Sequence, residues 1–259
     1  MNARREAGDR AGKGSEKVEI TPAFQNETRE KTPSPAARYL RSMLAVLWKD
    51  VVAEWRSREM LSAMLVFALL VIIIFNFALE LDPTTKADVT AGVLWVTFAF
   101  AGTLGLNRSM AIEKDNSCLD GLLLAPIDRS AIYFGKTIAN LVVIWVVAAI
   151  IIPIYSILYN LNLFNSGLLL VVFLGSLGYA SVGTLLASMS IQTRMRDILL
   201  PILLFPVVLP VLIAAVKAST GYLQGLEVAE IQAWLNLLIA YDIIFIAVGF
   251  MVFDYVVEE

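Results

Sequence analysis

The chain contains no histidine and a single cysteine, Cys118. The first absence removes the commonest protein ligand for transition metals and the usual proton shuttle near neutral pH. Metal chemistry would fall to Met, Tyr, Cys118 or a carboxylate, or to a partner. The second absence excludes an internal disulfide. Charge is scarce as well: 17% of the 259 residues are Asp, Glu, Lys or Arg, against 58% hydrophobic. That is too thin a polar shell for a water-soluble domain of this size. Alternating apolar and polar runs of about ten residues are missing, which rules against an outer-membrane barrel. Also missing are a Walker-type phosphate loop, a zinc-spaced cluster and a nucleophilic triad. A chain so composed reads as the non-catalytic membrane part of a machine whose energy input lies elsewhere, with no nucleic-acid signal.

What is present is a series of long apolar blocks. Residues 1–37 are polar, carry seven basic and six acidic residues and are interrupted by Gly8, Gly12, Gly14, Pro22, Pro33 and Pro35; too little apolar surface is available to offset ordering, so a disordered tail is expected. Asn26-Glu27-Thr28 fits a glycosylation acceptor pattern that is frequent by chance. Residues 38–60 place Leu40, Met43, Leu44, Leu47, Val51 and Trp55 near one helical face, with Arg41, Lys49, Asp50, Glu54, Arg56 and Arg58 around it. This predicts an amphipathic helix at the membrane interface. A six-span transmembrane domain over 61–259 follows, with spans at 61–79, 89–106, 137–159, 167–189, 198–216 and 233–253. The fifth carries Pro201, Pro206 and Pro210 and is expected to be bent or locally unwound unless neighbours satisfy its carbonyls. Trp95, Trp145 and Trp234 read as interfacial anchors. The connections at 38–60, 107–136 and 190–197 hold eleven basic residues and the opposite ones only Lys86 and Lys217, which predicts that both termini are cytoplasmic.

The connection NRSMAIEKDNSCLDGLLLAPIDRSAIYFGK (107–136) is the longest on the basic side. Its stretch Glu113–Leu124 predicts a short helix with Cys118, Leu119, Leu122 and Leu123 along one side, suited either to a cleft in a soluble partner or to the membrane interface alone. Within the spans, Ser176, Ala180, Thr184 and Ser188 recur at every fourth position and form a small-residue face for close helix packing, within the monomer or between subunits. Asp242 lies mid-block in the sixth span, where an unpaired carboxylate is costly; it either handles substrate or coupling or is structurally paired. Asn76, near the end of the first span, is a weaker case of an intramembrane polar residue.

Three runs in fixed order, AVLWKDVVAEWRSRE, MAIEKDNSCLDGLLLAPIDRSAIYFGK and GTLLASMSIQTRMRDILLPILLFPVVLPVLIAA, together closely resemble the haem exporter protein B family, CcmB, over about residues 39–254. The resemblance implies an all-α polytopic fold of the ABC-2 exporter type, with six spans, an amphipathic elbow helix and both ends on the cytoplasmic face of the bacterial inner membrane. It implies a separate ABC ATPase subunit that binds and hydrolyses ATP, a haem-handling membrane subunit, a haem chaperone and a role in cytochrome c biogenesis. It maps the coupling region to Glu113, Lys114, Asp115, Asp120, Leu122, Leu123 and Leu124, and a second cytoplasmic surface to Gln192-Thr193-Arg194-Met195 with Arg196 and Asp197. No cofactor is expected to bind the chain directly; haem is a candidate substrate of the complex, either exported or released as haem-loaded chaperone. The absence of histidine favours the second account. The polar tail is longer than the resemblance leads one to expect. Other readings are an ABC-2 exporter of lipid, polysaccharide or drug, and an autonomous secondary transporter using Asp242 and the proline-broken span.

Overall fold

The amphipathic segment forms the first helix, and a sharp corner separates it from the first apolar block. The computed structural model describes residues 34–78, 86–115, 121, 127–190 and 195–258. Helix α1 spans Pro35–Ser57 and α2 spans Glu59–Ala78. Arg58 between them adopts φ 55°, a left-handed conformation uncommon outside glycine. The corner is fixed by Glu54, whose backbone carbonyl accepts from the Arg58 amide at 2.7 Å and whose carboxylate accepts from the Leu61 amide at 2.7 Å. The carboxylate thereby satisfies one of the orphan first-turn donors of α2. Leu40, Leu44, Trp48 and Trp55 share a stripe of α1 and are exposed, Trp48 by 72% and Trp55 by 67%. Val46, on another face, is buried in the protein. α1 therefore has one face against the bundle and one exposed apolar face.

Five further helices complete the bundle: α3 Lys86–Asp115, α4 Arg129–Tyr159, α5 Ser166–Ser190, α6 Arg196–Gln224 and α7 Val228–Glu258. Among the described residues the fold is all-α, with seven helices, and α2 to α7 are each long and apolar enough to cross a membrane. The chain is thus a multi-pass membrane protein. The helices outrun the apolar blocks. α3 continues from Leu106 to Asp115, because Asn107, Arg108 and Lys114 mark where the membrane ends without disfavouring helix. Glu113, Lys114 and Asp115 consequently belong to the last turn of α3 instead of opening a separate short helix.

The fifth span is not unwound. α6 runs continuously through Pro201, Pro206 and Pro210, packed along α3, α5 and α7. Its neighbours hold the backbone helical despite the amide donors the prolines lack. At its end Gly225 takes φ 73°, and the Gly225 and Leu226 amides close onto the Tyr222 and Gly221 carbonyls. Only glycine enters this left-handed cap without a Cβ penalty.

α5 is the central helix and packs on α3, α4, α6 and α7. Its small residues make this possible. Ser176, Ala180, Thr184 and Ser188 are all buried within the chain. Ser176 Oγ accepts from Trp145 Nε1 at 3.0 Å and Thr184 Oγ1 accepts from Asn140 Nδ2 at 2.9 Å, so this face meets α4. On another side, Gly175 lies against the Trp95 ring so closely that a Cβ there would collide with it. Trp95 is not an interfacial anchor: it is 2% exposed and donates from Nε1 to Ser219 Oγ at 2.9 Å, bracing α3 against α6. Its aromatic bulk fills the space left by Gly175, an outcome that hydropathy along one strand of sequence does not encode.

Candidate functional site

Four charged side chains meet where α1, α3 and α4 converge. Lys136, in the early turns of α4, is 2% exposed, and its ammonium pairs with Glu113 Oε1 from the end of α3. Lys49 Nζ on α1 lies 3.3 Å from the same Glu113 oxygen and 2.9 Å from Asp50 Oδ1. Asp50 Oδ2 returns to Lys136 Nζ at 3.6 Å. Two cations and two carboxylates thus alternate around a closed circuit drawn from three helices. Burying one such charge alone is costly, but the mutual attraction in a poorly solvated place offsets that cost when the geometry is closed. The circuit fixes the position of α1 against the ends of the α3–α4 connection.

A cavity of about 270 Å³ opens beside the circuit, lined in part by Lys49, Glu54, Glu113, Ser109 and Asn140. Glu113 Oε2 is buried there without a hydrogen-bond partner. Burial would lower the Lys49 ammonium, but the Asp50 and Glu113 carboxylates outweigh it and hold the group above its ordinary range. Glu54 moves the other way for a carboxylate. Burial pushes it up, against the backbone amides of Leu61 and Met60, while the nearby Glu59 charge adds to the rise and Arg108 opposes it. Arg108 itself pairs with Glu59, joining the start of α2 to α3.

The residues expected to form a coupling surface fall into distinct places. Glu113 is buried in the circuit, Lys114 is exposed at the end of α3, and Asp115 is the final residue of that helix. Asp120, Leu122, Leu123 and Leu124, with Cys118, lie outside the described residues, as do Gln192 and Arg194. Arg196 opens α6, and Asp197 stands exposed in its first turn. Asn76 is partly buried near the end of α2. In the sequence Lys49 and Asp50 read as part of the polar side of the amphipathic helix, and Lys136 only as one of the basic residues of the 107–136 connection. The available signal was Lys136 itself, a lone cation inside the otherwise apolar and small-residue run AIYFGKTIAN, which demands a buried anion.

Asp242 is a second buried acidic side chain, without the partners of such a circuit. It is 4% exposed on α7, and neither carboxylate oxygen has a hydrogen-bond partner. Its nearest support is steric. A Cβ built on Gly178 of α5 would stand 2.5 Å from Asp242 Oδ1 and 3.1 Å from the Tyr241 ring. Tyr241 is anchored separately, its hydroxyl donating to the Val207 carbonyl at 2.9 Å. Gly178 therefore opens the slot in which the Asp242 side chain lies.

Known proteins are similar to this chain along most of its length. A family profile described as "CcmB protein" matches residues 41–258, from early α1 to the end of α7. The "Heme exporter protein B" of Rhodobacter capsulatus is 25% identical over 187 residues, covering 72% of this chain and 86% of that protein. The proteins of the same name from Paracoccus denitrificans and Pseudomonas aeruginosa are each 25% identical, over 177 and 181 residues, covering 81% and 79% of their own lengths.

Proposed function

The chain belongs to the CcmB protein family, and from that premise we propose that it is the non-catalytic membrane subunit of an ABC-type system that handles haem for cytochrome c biogenesis. The observation that carries this reading is the extent of the family match, which takes in nearly all of α1 and all six long apolar helices. The relatives' shared name supports haem as the substrate of the complex. In this reading the chain sits in the bacterial inner membrane with both termini cytoplasmic, and a separate ATPase engages the connection between α3 and α4, where Asp120 and Leu122–Leu124 lie.

Mechanically, Glu113 and Lys136 bracket that connection, one at the end of α3 and the other at the start of α4, and they are ion-paired. A push on the connection is therefore delivered to both helices together. Lys49 and Asp50 extend the same linkage to α1 at the membrane surface. The central helix α5 receives the movement from α3 and α4, which both pack on it. Since the sequence offers no histidine to ligate haem in transit, we favour delivery of work to a haem-handling membrane subunit, with release of haem-loaded chaperone, over passage of haem through this chain.

The test is purification of the tagged full chain in mild detergent, with identification of the proteins and haem that accompany it. An ATPase and haem-handling proteins are expected with the native chain, and loss of the ATPase alone with Leu122→Asp and Leu123→Asp combined. An ATPase without haem-handling partners would move the function to export of another substrate. Recovery of no ATPase under several gentle conditions would sink the coupling account and leave an autonomous transporter.

A further inference from the structure

We infer that the groove enclosed by α1, the start of α2 and α4 holds one acidic glycerophospholipid, its phosphate on Arg58 and an acyl chain along Leu61, Val142 and Val146. The groove has a volume of about 330 Å³ and is walled by apolar side chains from α2 and α4, with Trp55 and Arg58 on the α1 side. Val142 is exposed at 37% on the outer side of α4, so the groove opens toward lipid. An α-helix of about 10 Å diameter does not enter a slot of this volume, whereas a single hydrocarbon chain does.

Charge selects the headgroup. Arg58 stands at the left-handed corner between α1 and α2, exposed, at the first turn of a membrane span. Among the described residues its guanidinium joins no ion pair, in contrast to Arg108, which is taken by Glu59. The carboxylate that shares the groove, Glu54, is turned onto the Leu61 amide at 2.7 Å and makes no ion pair with Arg58 among the described residues. The depth is also appropriate. Trp48 and Trp55 lie exposed on the same stripe of α1, the type of residue that settles at headgroup level. A guanidinium beside that belt meets the phosphate layer and pairs with it by two parallel hydrogen bonds.

The experiment uses the full chain with whatever partners co-purify, washed in mild detergent and titrated with phosphatidylglycerol or phosphatidylcholine, bound lipid being counted by native mass spectrometry. One phosphatidylglycerol is expected to stay on each chain, with phosphatidylcholine held more weakly. Arg58→Gln, at an exposed position, should weaken phosphatidylglycerol by about fivefold, the value of one basic residue near an anionic surface, and bring the two lipids level. Val146→Trp, which fills the groove, should displace both. Arg56→Gln, on the polar side of α1, should change neither. Equal retention of the two lipids by the native chain would overturn the inference, as would an Arg58→Gln effect no larger than that of Arg56→Gln. So would retained lipid binding in Val146→Trp, or a change in subunit number in place of lipid loss.

Discussion

The protein buries ionisable side chains in two ways. At the α1–α3–α4 junction Lys136, Glu113, Lys49 and Asp50 close a circuit in which nearly every charge faces its opposite. On α7 Asp242 is buried as deeply as Lys136 and Glu113, yet its carboxyl group has no hydrogen-bond partner and is accommodated by the missing side chain of Gly178. The two solutions differ in what they bind together. A closed circuit makes three helices depend on one another, and removing either Lys136 or Glu113 leaves the other buried and poorly compensated, whereas Lys49 and Asp50 keep partial access to water. An accommodated carboxylate ties nothing and survives only because a small residue stands opposite. The junction therefore makes the positions of three helices depend on one another, and the Asp242 slot accommodates a side chain without tying it.

The largest effect is expected at the junction. Lys136→Met should lower stability by about 3–5 kcal/mol, because it leaves Glu113 buried with only the more distant Lys49. Thermal unfolding in detergent would register the loss. Adding Glu113→Gln to that variant should cost less than the two single changes summed, since both act on one circuit. If Lys136→Met proves no more harmful than a change at Asp242, the contrast between the two regions is wrong.

A smaller effect is expected across the α5–α7 slot. Gly178→Ala puts a methyl group against Asp242 Oδ1 and the Tyr241 ring, and overpacking of this kind costs about 1–3 kcal/mol. Shortening the opposing side chain with Asp242→Ala should relieve part of that cost in the double variant. Additive effects would mean that the two residues do not share the slot. Asp242→Asn by itself keeps the shape and loses no hydrogen bond, so its change in stability should stay within about 1 kcal/mol. A native melting profile combined with lost haem handling in the purified complex would then assign Asp242 a part in the work of the complex.

The fold was largely written in hydropathy, because twenty uncharged residues have few alternatives to a spanning helix. Helix ends were less legible: α3 passes from Leu106 to Asp115 without a break, since leaving the membrane does not require leaving the helix. Asp242 stood out in the sequence as an anomaly in an apolar block. Its lack of a partner did not, as this depends on Gly178 of another helix. The Glu113–Lys136 pair was hidden for the same reason. Its members are separated by a connection whose length says nothing about whether its two ends meet, and Glu113 reads as the start of a short surface helix instead of a buried partner for Lys136. Trp95 misled because aromatic residues near span ends usually seek the interface, whereas Gly175 and Ser219 provide this one with a buried site.

The smallest effect concerns the corner beside the junction, where charge is buried without being matched. Glu54 has a folded-state pKa above its ordinary value, so the folded protein takes up a proton more readily than the unfolded chain. Its contribution must then be most favourable below the ordinary carboxylate range and decline as pH rises through the folded pKa. Glu54→Gln removes the titration while keeping an oxygen for the Leu61 amide. The melting temperature of the variant relative to the native protein should therefore be higher at pH 7.5 than at pH 4.5. Lys49 does not confound the comparison: its raised pKa favours the folded state throughout that interval and loses force only in alkali. An unchanged difference between the two pH values would mean that Glu54 is as well compensated as Glu113, and the closed circuit would then have to be extended to the α1–α2 corner.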